Sequence, residues 1–260
     1  MAAAVVLRAV TARRGGRTIW SDAEIELATG SFTALIGANG VGKSTLIQII
    51  LGLLPPASGS VSVFDAPARR GNPDIGLVPQ GHSLFNADEV RGIDLVVLNA
   101  SGIRRGVARP SRAVRDSAKL ALAAVGANTY ADQRLGRLSG GQRQRISIAA
   151  ALVGGPRLII LDEPLAGLDL AGQVDLVELV HHLNHDLGIT VLFATHDLNP
   201  VLNHIDSAIY IADRKPVLVP TDKITNPELL TRIYGTSVQV LRDADGCAYT
   251  RTAPDARGAS

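Results

Sequence analysis

Gly37-Ala38-Asn39-Gly40-Val41-Gly42-Lys43-Ser44, followed by Thr45, has the spacing G-x-x-x-x-G-K-[ST] of a phosphate-binding loop. Before it, Phe32-Thr-Ala-Leu-Ile36 reads as a short buried strand. After it, residues 43–51 begin a helix, with apolar side chains at Leu46, Ile49, Ile50 and Leu53. Strand, glycine loop and helix in that order are the context such a loop needs. The glycines let successive backbone N–H groups turn inward around an anion, the helix N-terminus adds partial positive charge, and Lys43 brings a full one. Ser44 is then placed to hold Mg²⁺. A glycine-rich turn that merely enters a helix has no use for the Lys-Ser-Thr run. The loop by itself is common to many nucleoside triphosphatases and does not choose among them.

Length and composition bound what surrounds it. With 260 residues, 46% of them hydrophobic, the chain can bury one substantial α/β core with a smaller insertion. The 26 basic and 24 acidic residues leave a formal charge of +2, so no strong global field recruits nucleic acid, and none is expected as a partner. A single cysteine, Cys247, forms no internal disulfide, which fits a reducing compartment. The apolar run at residues 2–7 is too short for a signal peptide. The longest apolar candidate, residues 146–161, is cut by Gly154-Gly155-Pro156-Arg157, short of the ~20 residues a membrane helix requires. Any membrane role is expected to come through a partner.

Upstream of the loop, residues 5–11 and 18–27 read as antiparallel strands joined by a turn at Arg13-Arg14-Gly15-Gly16. Downstream, Pro55-Pro56 breaks the chain, and residues 61–64 and 75–78 resume as strands, the second ending at Pro79-Gln80. From about residue 88 to 138 no strand pattern is present. Residues 111–125 instead place Val114, Ala118, Ala121, Leu122 and Val125 on one helical face. Alternation returns with a strand at 157–161, a helix at 172–187 closed by Gly188, and a strand at 190–194, which is the grammar of a parallel sheet. Strands at 208–212 and 216–219, a short helix at 227–234 and a disordered last dozen residues complete the expectation.

Two further stretches carry chemistry. Leu158-Ile-Ile-Leu161 is a central-strand run that presents Asp162 and Glu163 at its C-terminal edge, where open α/β sheets bind ligands. Asp162 suits an Mg²⁺ shell shared with Ser44, and Glu163 suits the orientation and deprotonation of an attacking water. Leu138-Ser139-Gly140-Gly141-Gln142 starts a helix running to about residue 153, and Ser139 with Gln142 fits a capping box. The two glycines cost helix stability, about 1 kcal/mol each against alanine, and allow close backbone approach to a ligand. A plain cap and a second anion site both fit at this point.

Residues 37–45, Gln80, Leu138-Ser-Gly-Gly-Gln142, Leu161-Asp-Glu-Pro164, Ala166-Gly-Leu-Asp169 and Thr195-His196-Asp197 stand in the order and approximate spacing of the ATP-binding cassette (ABC) ATPases. The resemblance spans about residues 5 to 240. It implies an α/β fold: a P-loop NTPase core with a mixed or parallel sheet, an antiparallel β subdomain and an inserted helical subdomain. In those terms residues 1–260 are one ATPase domain, with 1–85 and 139–220 as core and β subdomain, 86–138 as the helical insertion and 221–260 as the tail. It further implies ATP and Mg²⁺ as cofactors and two subunits closing head to tail. ATP would then lie between Gly37, Ala38, Asn39, Gly40, Val41, Gly42, Lys43, Ser44 and Thr45 of one chain and Ser139, Gly140, Gly141 and Gln142 of the other. Glu163 would be the general base, His196 the γ-phosphate contact, Gln80 a Mg²⁺ contact and sensor of the membrane partner, and Asp169 a residue acting across the dimer.

One position departs from the family pattern. Where members present an aromatic ring to adenine from the turn preceding the phosphate loop, this chain has Arg14, whose guanidinium plane can stack on a base. Trp20 is the other candidate, although its place in the strand pattern favours the core. His181, His182 and His185 share a helix but lack a third ligand of suitable spacing, so a polar helix face is expected rather than a metal site. The arginines at 104, 105, 109, 112 and 115 suit a solvated face or lipid headgroups.

A single cassette without coiled coil or membrane span is similar to the separate ATPase subunit of a transporter. Residues 104–126, with the tail Glu228-Leu-Leu-Thr-Arg-Ile-Tyr-Gly235 and Val238-Gln-Val-Leu-Arg-Asp243, resemble the zinc and manganese importer branch. That resemblance implies a homodimer bound to integral membrane permease subunits at the cytoplasmic face of the membrane. An extracytoplasmic metal-binding protein would be an indirect partner, and the region 80–86 with the helical insertion would dock the permease. Importers of siderophores, haem or cobalamin share the tail feature, and a soluble ABC ATPase acting on nucleic acid or a complex is the reading from another class.

Overall fold

The computed structural model describes residues 2–81, 88–100, 110–234, 236–243 and 246–252. The chain opens on a hairpin of β1 (Ala3–Arg14) and β2 (Arg17–Ala28), turned at Gly15-Gly16. β3 (Phe32–Ile36) follows, buried at all five positions, and leads through the loop into α1 (Lys43–Ile50). β4 (Ser58–Val63), the two-residue β5 (Ala66–Pro67) and β6 (Ile75–Val78) come next. Among the described residues, the stretch without strand pattern and the segment after it carry the α-helices α2 (Gly92–Ala100), α3 (Arg112–Ala124) and α4 (Gly140–Leu152). β7 (Leu158–Asp162), α5 (Leu170–Leu187) and β8 (Thr190–Thr195) restore the alternation. The chain ends in β9 (Ser207–Ala212), β10 (Lys215–Pro220), α6 (Thr221–Ile224), α7 (Pro227–Tyr234), β11 (Val238–Arg242) and β12 (Ala248–Thr252).

These elements form two compact units, Met1–Asn72 with Thr190–Ser260, and Pro73–Ile189. In the first, the strands run in the order β5-β4-β1-β2-β10-β9-β3-β8. β1, β2, β4 and β5 pair antiparallel, whereas β3 lies parallel to both β8 and β9, so the sheet is mixed. Its core is built where β3 and β8 meet: the Phe32 and Phe193 rings stand 5.9 Å apart and both are fully buried. β11 and β12 form a separate antiparallel pair.

In the second unit β6 and β7 pair in parallel, with Val78 beside Leu161. α3 buries Ala118, Ala121 and Leu122 on the face that the periodicity assigned, and Val125 just beyond it is also fully buried. Ser111 caps it by accepting the Val114 N–H at 3.3 Å. α5 begins at Leu170 rather than 172 because Asp169 caps it, accepting the Gly172 N–H at 2.9 Å, and it ends at Gly188 with φ +63° as expected. α4 lies so close to β6 that a Cβ on Gly76 would stand 2.3 Å from the Ala151 carbonyl oxygen.

One expectation needs correction. The last dozen residues were expected to lack order, yet residues 249–252 belong to β12, which pairs with β11, and Asp243 accepts the Cys247 N–H at 2.9 Å. Residues 253–260 lie outside the described residues, as do 82–87 of the expected docking region, 101–109 of the helical insertion with Arg104, Arg105 and Arg109, and Gly235. Among the described residues no helix is long and apolar enough to cross a membrane.

The contact at Gly76 sets a test of packing. Gly76→Ala forces the strand and α4 apart and is expected to destabilise the chain by about 1–3 kcal/mol, read as a lower urea midpoint with an unchanged slope.

Candidate functional site

In the first unit β3 stops at Ile36, which stands beside Thr195 of β8 and Tyr210 of β9. The phosphate loop and His196 therefore leave one sheet edge from adjacent parallel strands, the position where α/β sheets bind ligands. Ala38, Asn39 and Gly40 are exposed, Val41 is half-buried, and Gly37 is buried at the strand end. Gly42, the N-cap of α1, has φ +114°, and a Cβ there would lie 2.7 Å from Ile19 Cγ2 and 2.8 Å from Trp20 Cδ1. Only glycine fits that conformation and that space. The Trp20 indole N–H donates to the Gly42 carbonyl at 3.4 Å from a fully buried ring. Having no side chain, Gly42 cannot cap α1, which leaves the first-turn N–H groups oriented toward the loop.

Lys43 is 6% exposed, and its ammonium donates to the Gly37 carbonyl at 2.6 Å, so the charge is folded back over the loop. Ser44 is exposed and Thr45 buried. Arg14 is exposed at the hairpin end, aligned with Arg17. Of the two residues weighed for base stacking, Trp20 is core, wedged beneath Gly42, while Arg14 is open to solvent. His196 is exposed after β8, in a turn where the Thr195 hydroxyl donates to the Asp197 carbonyl at 2.9 Å and accepts the Asp197 N–H at 3.1 Å.

In the second unit the register Val78–Leu161 brings Gln80 and the Asp162-Glu163 pair to one strand edge by the same logic. Gln80 is exposed, Asp162 half-buried and Glu163 only 8% exposed. Glu163 has φ +49°, a left-handed conformation that costs a non-glycine residue about 1 kcal/mol or more. A carboxylate held in strained backbone at a strand edge fits a residue aimed for chemistry.

Ser139 caps α4 through a complete capping box: its hydroxyl accepts the Gln142 N–H at 3.2 Å, and the Gln142 amide oxygen accepts the Ser139 N–H at 3.0 Å. Next to it, the Asp169-capped start of α5 opens on the same cleft of about 630 Å³, lined by Ser139, Gly140, Gly141, Gln142, Asp169 and Gly172. Two helix N-termini thus face one open space, an arrangement suited to an anion. A Cβ on Gly141 would meet nothing within 4 Å, so helix packing does not require glycine there. Sequence reasoning missed Tyr130 and Arg145, which also line this cleft. Arg145 is fixed by donating to the Val125 carbonyl at 2.9 Å, a contact between elements that no motif spacing announces.

On α5, His182 and His185 are exposed and His181 is half-buried. The rings of His181 and His185 are 6.1 Å apart, and His185 beside Asp186 holds that carboxyl below its usual range. Among the described residues no group of three or more His, Cys, Asp or Glu is arranged to hold a metal ion.

The family model described as ABC transporter matches residues 20–166, more than half of the chain. The chain is 34% identical over 239 residues to the manganese transport system ATP-binding protein MntB of Bacillus subtilis, covering 92% of this chain and 95% of that one. It is 35% identical over 205 residues to the zinc import ATP-binding protein ZnuC of Yersinia pestis, covering 79% of this chain and 74% of that one. Among solved structures, the dimeric post-hydrolysis state of the ATP-binding cassette MJ0796 bound to ADP and Pi superposes with a TM-score of 0.69 at 28% identity, covering 84% and 98% of the two chains. The matched span runs from Trp20 of β2 through the phosphate loop to Asp162 and Glu163, and the relatives extend over most of the chain: the chain belongs to the ABC transporter family and is one of its ATP-hydrolysing subunits.

Proposed function

We propose that the chain is the ATPase subunit of a metal importer, with zinc or manganese as the cargo. The observation that carries this reading is the identity of about a third, over most of the chain, to a manganese and a zinc transport subunit. The subunit would act peripherally at the cytoplasmic face of the membrane, where ATP is supplied, on integral permease subunits. Those permeases would receive the ion from an extracytoplasmic metal-binding protein. The metal need not touch this chain.

In the hydrolysis cycle Lys43 and the loop amides from Gly37 to Thr45 hold the phosphates, Glu163 accepts the proton of the attacking water, and His196 contacts the γ-phosphate. Arg14 stacks on the base. Ser44, Gln80 and Asp162 supply oxygen donors of the hard kind that suit Mg²⁺, and they would hold it where it neutralises charge on the phosphates. Two copies close with Ser139, Gly140, Gly141, Gln142 and Asp169 of one against the nucleotide of the other, supported by the dimeric MJ0796 cassette. The cleft in the second unit then faces a ligand bound to a second copy.

Three outcomes test this. Cells without the chain should lose zinc or manganese uptake, restored by the wild-type chain and not by Glu163→Gln; normal uptake of both ions in the deletion strain would remove the metal assignment. In the purified protein Glu163→Gln, which keeps the same backbone strain and shape, should retain ATP binding and lose turnover by about 100-fold or more. Gly141→Ala should raise the unfolding midpoint, since alanine is worth up to about 1 kcal/mol more than glycine in a helix, while lowering turnover. Turnover that stayed at the wild-type rate would reduce Gly141 to a part of the helix start.

A further inference from the structure

The segment that leaves β8 after His196 is held by the C-terminal end of the chain. Asn199 pairs with Thr250 of β12 as a peptide group would across a sheet: its Nδ2 donates to the Thr250 carbonyl at 3.0 Å, and its Oδ1 accepts the Thr250 N–H at 2.7 Å and the Thr250 hydroxyl at 2.9 Å. Four residues on, Asn203 repeats the pattern with Ala248, donating to its carbonyl at 3.2 Å and accepting its N–H at 3.0 Å. β11 pairs along one edge of β12, and the two asparagine amides serve the other edge in place of a strand. A third tie comes from α7: the Tyr234 hydroxyl accepts the Leu198 N–H at 3.3 Å. Burial pushes that phenol up to about 12, so it stays protonated and uncharged across the working pH range.

On the near side the turn is closed by its own side chains. Asp197 Oδ1 accepts the Asn199 N–H at 3.0 Å, and the Thr195 hydroxyl bridges both backbone groups of Asp197. His196 is therefore an exposed residue suspended between the end of a fully buried strand and a segment anchored at 198, 199 and 203 by the tail. Its backbone has little freedom that the tail does not limit.

We propose that Asn199, Asn203 and Tyr234 are positioning residues for His196: through them the C-terminal hairpin sets where the imidazole stands beside the phosphate loop, and so sets the rate of ATP hydrolysis. The inference rests on reading His196 as the γ-phosphate contact. Misplacement of a group that acts only on the transferred phosphate lowers kcat, whereas the loop amides and Lys43, held by other contacts, keep binding ATP.

The test uses the full-length chain. Asn199→Ala, the double variant Asn199→Ala with Asn203→Ala, Tyr234→Phe and His196→Ala are compared in kcat at saturating ATP, in equilibrium ATP affinity and in unfolding midpoint. The asparagine variants and Tyr234→Phe are expected to lower kcat by roughly tenfold to 100-fold while ATP affinity stays within about twofold of wild type. A fall in kcat, affinity and midpoint together would mean that the hairpin only stabilises the unit, and overturns the proposal. Wild-type kcat in the double variant, with amide exchange showing residues 248–250 released, overturns it as well. Should the double variant fail to fold, Tyr234→Phe, which removes one acceptor and keeps the ring, decides. Wild-type kcat in His196→Ala refutes the reading of His196 and this inference with it; loss there with wild-type rates in the other variants refutes the positioning role alone.

Discussion

A lysine ammonium buried to 6% exposure, with the Gly37 carbonyl 2.6 Å away, is the constraint on which the first unit depends. A charge removed from water to this extent is tolerated only with strong polar partners, and a triphosphate brings several. Keeping the ammonium there requires the loop to close tightly around it. That in turn needs Gly42 in a conformation and a space no other residue accepts, with the Trp20 indole filling the floor beneath. The floor is carried by β2, and the loop springs from a strand buried at all five positions between β8 and β9. Each layer fixes the next, from hydrophobic burial in β3 to the aim of the N–H groups of α1.

The same economy recurs within the second unit. Parallel pairing of β6 with β7 sends Gln80 and the two carboxylates to one strand edge, and two capped helix starts, at Ser139 and Asp169, open on one cleft. The capping box satisfies the Ser139 and Gln142 N–H groups internally, so α4 is a finished helix without any ligand. What remains at its first turn is half-buried glycine backbone, with open space beside Gly141. Cap and anion site, open alternatives on the sequence alone, are compatible: the Ser139 and Gln142 side chains serve the helix, and the glycines leave the approach clear.

Much of this was legible because phosphate binding imposes spacing. The loop, the strand runs at 32–36 and 158–161 and the capping box are local patterns, and each element formed within a few residues of its expected bounds. The hairpin of β11 and β12 was missed because its order comes from afar: Asn199 and Asn203, some fifty residues upstream, supply the partner its outer edge needs. A polar, glycine-containing tail read alone has too little apolar surface to suggest a strand. Tyr130 and Arg145 escaped for a related reason, since they reach the cleft through packing between elements rather than through any period in the chain. Arg14 and Trp20 show the opposite case: the alternating pattern of β2 was enough to place the indole inside.

Trp20 has a further consequence, optical rather than structural. It is the chain's only tryptophan, it is wholly shielded from solvent, and its indole N–H sits on the carbonyl of the residue that caps the phosphate loop. Indole emission responds to the polarity and hydrogen bonding of its surroundings, so the unmodified protein carries one fluorophore with one address. Any change in its spectrum when nucleotide is added comes from the loop's own floor, with no second tryptophan to dilute or confuse the signal.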